Sequence, residues 1–214
     1  MNIPETLANF LLNLLWPVCC PLCGAIGVPA CVSCLLPLLN PPLPHRIASS
    51  SLSLFLWTGG LHEGRLRDLV LSLKYGGNRG IGFAMGKALG RIFPRPGADC
   101  IVPVPLHRGS SRGYNQSAAI AEGLSAEWGL PVTSALRWRS PMSAQTDLDE
   151  KKRKKMPLGA MIAKAGKIPG KRVVLVDDVC TTGTTLLRAA SGIEGAGGRV
   201  AAAVTWSWSP KALH

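Results

Sequence analysis

The sequence predicts an α/β protein, a mostly parallel sheet flanked by helices, with a small cysteine-bearing module at its N-terminus. Three observations point there. From Ser51 onward, short apolar runs alternate with segments of helical period, the pattern of strands joined by crossover helices. The run Val173-Val174-Leu175-Val176 is apolar on both faces, as a strand inside a parallel sheet must be. Cys20-x-x-Cys23 and Cys31-x-x-Cys34 are separated from these elements by Pro41-Pro42-Leu43-Pro44, a semi-rigid linker. The expected division is therefore a module over residues 1–44 and a main domain over 45–214. A chain of 214 residues, 47% hydrophobic and 17% charged, can hold one well-buried domain with an appendage and is too apolar for a disordered tail.

The elements follow in order. Ile3 to Trp16 is apolar, but it starts at Pro4-Glu5, lacks a basic leader and runs into Pro17 and cysteines. It is expected to be an amphipathic or packing helix and not a signal peptide. No apolar run approaches the ~18 residues of a membrane span, so a cytoplasmic location is expected. Ser51–Trp57 alternates like a strand. Leu61–Tyr75 carries Leu66, Leu69, Val70 and Leu73 at helical spacing, and the glycine-punctuated Gly80–Phe93 reads as a second helix. Cys100–Pro105 is a short buried strand, followed by a loop to Gln116, a helix to Trp128 and a strand near Val132–Leu136. Arg139–Lys155 has no periodicity and is expected to be a mobile loop. Beyond Leu158 come a strand, the apolar run at Val173, a helix and a last strand, Val200–Trp206.

The run at Val173 ends in Asp177-Asp178, and then in Thr181-Thr182-Gly183-Thr184-Thr185 before the helical Leu186, Leu187, Ala189 and Ala190. Adjacent carboxylates accept hydrogen bonds from hydroxyls, while N–H groups and threonine hydroxyls at a helix start suit a phosphate. A sugar phosphate satisfies both halves. A nucleoside triphosphatase reading fails because Gly86-Lys87, Gly166-Lys167 and Gly170-Lys171 each lack the following Ser or Thr. A dinucleotide fold fails because neither Gly80-x-Gly82 nor Gly195-x-Gly197 continues to a third glycine. What remains is a close resemblance to the phosphoribosyl-diphosphate (PRPP) loop of type I phosphoribosyltransferases.

Five of the seven cysteines lie between Cys19 and Cys34. Two C-x-x-C knuckles, Cys20/Cys23 and Cys31/Cys34, can bring four thiolates to the corners of a tetrahedron, as a structural zinc requires. Two disulfides are disfavoured by a cytoplasmic location, and a redox C-x-x-C normally sits at a strand-to-helix junction. Cys19 leaves a different register open. The module is too small for its own core, so the metal would stand in for one. The formal charge of +12 favours anionic partners, phosphorylated small molecules or nucleic acid, without choosing between them.

The chain as a whole resembles the ComF family, phosphoribosyltransferase-like bacterial proteins associated with competence for DNA uptake, one relative being linked to gluconate use. The likeness rests on the cysteine knuckles, Gly64-x-Leu66-Arg67 through Leu73-Lys74-Tyr75, Ile101 to Arg108, Arg112-Gly113-Tyr114-Asn115-Gln116, Gln145-Thr146 and the aspartate–threonine signature. His62 stands where the family usually has Tyr, and Met156-Pro157 where it has Asn-Val. The resemblance implies a type I phosphoribosyltransferase fold. It implies that Asp177 and Asp178 hold the ribose hydroxyls, that Thr181, Thr182, Gly183, Thr184 and Thr185 cradle the 5′-phosphate, and that Mg²⁺ accompanies PRPP. The strand end at Pro105, with Arg108 and Arg112, would approach the pyrophosphate. An oxocarbenium-like transition state is served by positioning and charge stabilisation, so no catalytic base is named. Whether the transferase reaction survives, and on which acceptor base, is open.

Several residues have two readings. Lys74 is either a phosphate contact or an ordinary cation at a helix C-terminus. Cys180 is either an activated thiol or, better, a small packed one, and His107 is either a donor to pyrophosphate or, better, a solvated surface residue. Trp206 and Trp208 are expected to pack a sheet edge. Lys151-Lys152-Arg153-Lys154-Lys155 is either a solvated run or a contact to diphosphate or single-stranded DNA. Two functions compete: a cytoplasmic PRPP-binding protein in DNA uptake or nucleotide salvage, and a non-catalytic protein contacting a helicase or single-stranded DNA.

Overall fold

The computed structural model describes residues 18–107, 110, 113–139 and 158–210. A short helix α1 (Val32–Leu35) and a 3₁₀ turn (Leu36–Leu38) precede β1 (His45–Ala48), β2 (Ser53–Thr58), α2 (Gly64–Tyr75) and α3 (Arg79–Ile92). Next come β3 (Cys100–Pro103), α4 (Gln116–Trp128), β4 (Leu136–Trp138) and β5 (Met161–Ala163). The chain ends with β6 (Arg172–Cys180), α5 (Thr184–Glu194) and β7 (Arg199–Trp208). The main sheet has the order β1-β2-β7-β6-β3. Its last four members are parallel, and β1 is antiparallel to β2 at one edge. β4 and β5 form a separate antiparallel pair.

Alternation along β6 explains why its run is apolar throughout. Val174 and Val176 face one core with α2, α3 and α4, while Val173 and Leu175 face a second core with α5. Three expectations change. β1 was not anticipated; its ladder to β2 closes through a turn in which Ser49 N–H donates to Leu52 O. The strand expected near 132–136 reduces to one bridge between Ile101 and Val132, and the regular strand starts at Leu136. Trp206 does not pack an edge: β7 is the middle strand, Trp206 is fully buried, and its indole N–H donates to Leu66 O at 3.1 Å. The segment Ile3–Trp16, expected to be helical, and residues 140–157, including the basic run, lie outside the described residues.

The cysteine module does not stand apart. Ala30 and Leu35 are buried in the same core as α2, α3 and α4, and Pro29 packs against Gly80 at the start of α3. Among the described residues no helix is long and apolar enough to cross a membrane.

The glycines of α3 have a packing cause. Gly82, Gly86 and Gly90 recur at four-residue spacing, on one helix face, and let α3 lie directly on α4. A Cβ at Gly86 would stand 2.0 Å from Ile120 O, and one at Gly123 2.0 Å from Phe83 O. Backbone cannot yield as a side-chain tip can. Gly86→Val should therefore cost about 3 kcal/mol or more, read as a fall of roughly 10 °C in Tm.

Candidate functional site

Asp177 and Asp178 lie near the C-terminal end of β6, where ligands gather in parallel α/β sheets. Asp177 Oδ1 accepts from Ser117 Oγ, on the first turn of α4, and from the Asp178 backbone N–H, each at 2.9 Å. Asp178 Oδ1 accepts from the Val179 N–H at 2.7 Å, and its Oδ2 meets Lys74 Nζ at 2.9 Å. The cation expected to be either a phosphate contact or a helix-end residue is thus the counter-ion of the acidic pair. Burial, and then the charge of Asp178, push the Asp177 carboxyl up to about 7, against the pull of Ser117, the Asp178 N–H and Lys74. Near neutral pH the Asp177 carboxyl therefore stands close to half-protonated.

Because Lys74 and Asp178 are both largely shielded, removing the cation leaves two adjacent carboxylates without compensation. Lys74→Met should destabilise the protein by about 2 kcal/mol at pH 8, measured by denaturant unfolding.

Beyond the acids the chain passes Cys180 and turns through Thr181, Thr182 and Gly183 into α5. Gly183 has φ +72°, a left-handed conformation, and lies against Ile47 of β1, which a Cβ would approach to 3.0 Å. Thr181 and Thr182 are exposed, and the Thr182 and Thr184 hydroxyls lie 2.7 Å apart. With Thr185 and Asp177 they line a small cleft over the N-terminus of an eleven-residue helix. That arrangement offers donors and a positive helix end to an anion, with carboxylates alongside. Cys180 is a packed thiol. Burial, and then the charge of Asp177, push it up to about 12, so it is no nucleophile at neutral pH.

Pro105 follows β3, whose extension bonds Val104 N–H to Val176 O of β6 at 2.9 Å. The Pro105 carbonyl accepts from Trp138 Nε1 at 3.2 Å, and Asn115 Nδ2 donates to Val104 O at 2.9 Å. This strand end therefore lies beside the β6 acids. His107 meets Trp138 edge-on, with ring centroids 5.3 Å apart, so it is not simply solvated. Arg108 and Arg112 lie outside the described residues. Sequence reasoning missed Ser117 and the role of His62. His62 Nδ1 lies 2.8 Å from Ser207 Oγ, and burial followed by the Lys74 and Arg67 charges holds its imidazole below the usual histidine range.

The four cysteines converge. The sulfurs of Cys20, Cys23, Cys31 and Cys34 all lie within 4.8 Å of one another, and Cys19 is not part of the group. Cys23 Sγ and Cys31 Sγ are 3.8 Å apart, the separation expected when two sulfurs sit about 2.3 Å from a tetrahedral zinc. Although burial opposes it, backbone N–H groups led by that of Cys31, 3.4 Å from the sulfur, lower the Cys20 thiol to about 6. The hydrogen bond to Cys23, followed by desolvation, pushes Cys31 up to about 12. This donor set fits a soft divalent metal.

A family model described as the phosphoribosyl transferase domain matches residues 102–212. Among solved structures, the allosteric regulatory enzyme of purine biosynthesis is 25% identical, with a TM-score of 0.40 over 56% of this chain and 24% of that one. Glutamine PRPP amidotransferase from B. subtilis, complexed with ADP and GMP, is 26% identical, with a TM-score of 0.43 over 57% and 25%. Adenine phosphoribosyltransferase from Leishmania donovani is 19% identical, with a TM-score of 0.41 over 69% and 70%. The chain spans about a quarter of the length of the first two. No curated protein matches it.

Proposed function

This chain belongs to the phosphoribosyl transferase domain family, and we propose that it is a cytoplasmic protein that binds PRPP at the β6–α5 junction and transfers its phosphoribosyl group. The observation that carries the reading is the convergence, on one strand end, of an acidic pair with a small hydroxyl loop that leads into a helix. Thr181 to Thr185 hold the 5′-phosphate through hydroxyls and backbone N–H groups. Asp177 and Asp178 accept from the ribose hydroxyls, which orients the anomeric carbon toward the Pro105 strand end. Lys74 balances their charge, and on ligand entry it can move to the incoming diphosphate.

The hard oxygen donors of this site suit Mg²⁺ bound mainly through the ligand's own oxygens, and the metal would supply neutralisation of the leaving diphosphate. Structural zinc on Cys20, Cys23, Cys31 and Cys34 completes the proposal, supported by the sulfur spacing. A role in DNA uptake rests on the sequence resemblance alone, since Lys151–Lys155 falls outside the described residues.

Calorimetric titration with PRPP and Mg²⁺, followed by a pyrophosphate-release screen across purine and pyrimidine bases, tests the reading. Binding with release for at least one base is expected. No PRPP binding at millimolar concentration would overturn it.

A further inference from the structure

A second concave surface lies at the opposite end of the sheet, among the starts of β2, β6 and β7. It is a cleft of about 470 Å³ lined by Arg46, Ser53, Phe55, Arg172, Arg199 and Ala201. Cross-strand register creates it: Arg172 pairs with Arg199 between β6 and β7, and Arg46 pairs with Phe55 between β1 and β2. Three guanidinium groups, from β1, β6 and β7, therefore share one hollow, and among the described residues no carboxylate lines it. Among the described residues none of the three is ion-paired. The neighbouring acid, Asp99, accepts the backbone N–H of Arg172 at 2.7 Å.

The aromatic component gives the cleft a second chemistry. Phe55, on β2, is 49% exposed. Arg46 lies over its ring at 5.3 Å, and Nη2 donates to Ser53 Oγ at 2.8 Å, which fixes the guanidinium plane. With the guanidinium held over the ring, the pair offers a platform for a heteroaromatic base. Two further arginines alongside match phosphoryl oxygens, which they can engage bidentately. The volume falls in the range of small-molecule sites and is ample for one nucleotide.

We propose that this cleft is a second ligand site, taking a free nucleoside 5′-diphosphate with its phosphates on Arg172 and Arg199 and its base on the Phe55–Arg46 platform. It is independent of the acidic pair. Asp177 stands five residue steps along β6 from Arg172, roughly 17 Å at the rise of a strand, beyond the screening length at physiological salt.

The test is calorimetric titration of the full chain with ADP, with pyrophosphate and a thymidine 20-mer as separate probes. Wild type and Asp177→Asn/Asp178→Asn should bind ADP alike. Arg172→Gln/Arg199→Gln should weaken ADP at least tenfold, and Phe55→Leu should weaken ADP severalfold while leaving pyrophosphate unchanged. Since Phe55, Arg172 and Arg199 are exposed, the melting curves of these cleft variants should match wild type; should the double variant fail to fold, Arg199→Gln alone is compared. The proposal is overturned if ADP does not bind, or if its binding is lost with the aspartates and kept without the arginines. It is also overturned if Phe55→Leu weakens pyrophosphate equally, or if only the 20-mer binds, which would make the cleft a nucleic-acid surface.

Discussion

Replacing Cys23 by Ser should strip the protein of a bound zinc and lower its Tm by roughly 10 °C or more. The expectation follows from how the module is joined to the rest. Leu35 is fully buried in the core formed with α2, α3 and α4, and Leu22, Val32, Leu36 and Leu39 pack against that core. Among the described residues these side chains are carried by a four-residue helix, one 3₁₀ turn and the two knuckles. A metal on four thiolates contributes folding free energy directly. Losing one ligand should release the module and expose apolar surface worth about 3–5 kcal/mol, at roughly 2–4 °C per kcal/mol for a chain of this size. Elemental analysis should find one zinc per chain in wild type and little in the variant, and a chelator should reproduce the fall in Tm. A zinc-free wild type with an unchanged melting curve would remove the metal from the account.

Legibility in the sequence followed locality. The β6–α5 junction was readable because its chemistry is contiguous: an apolar run, two acids and a hydroxyl loop occupy consecutive positions. The cysteine cluster was readable for the same reason, since knuckle spacing encodes the geometry. The partners of Asp177 and Asp178 were not. Ser117 is 60 residues from Asp177 in sequence, and Lys74 reaches Asp178 from another helix. Neither pairing leaves a periodic trace. Trp206 was misplaced because strand order is a tertiary property: a final strand suggests an edge, yet β7 is inserted between β2 and β6. β1 was missed because it is four residues long and follows a proline-rich stretch, so neither length nor alternation marks it. The glycines of α3 were legible as punctuation of a helix, but their purpose depends on Ile120 and Gly123 of a different element.

Asp177→Asn should move stability and binding in opposite directions. The unfolded carboxyl ionises near 3.8, whereas burial and the Asp178 charge hold the native one up to about 7. Between these values the native state keeps a proton that the unfolded state has lost. Stability contributed by this group is therefore full at low pH, falls as pH rises from about 4 to 7, and is level above. Asparagine carries no charge to desolvate, and its carbonyl can still accept from Ser117 Oγ. The variant should be more stable than wild type at pH 8, by on the order of 2–4 kcal/mol, and nearly equal to it at pH 4. PRPP binding with Mg²⁺ should behave inversely, because it draws on the ionised acid. Wild-type affinity should rise between pH 6 and 8, and the variant should lose about 2 kcal/mol, near thirtyfold, at pH 8. Asp178→Asn is the contrast: it deprives Lys74 of its partner and should destabilise. Thermal melts at two pH values with parallel titrations read every arm. An Asp177→Asn protein that is less stable at pH 8, or that binds PRPP as wild type does, would show that this carboxylate is structural and that the ribose lies elsewhere.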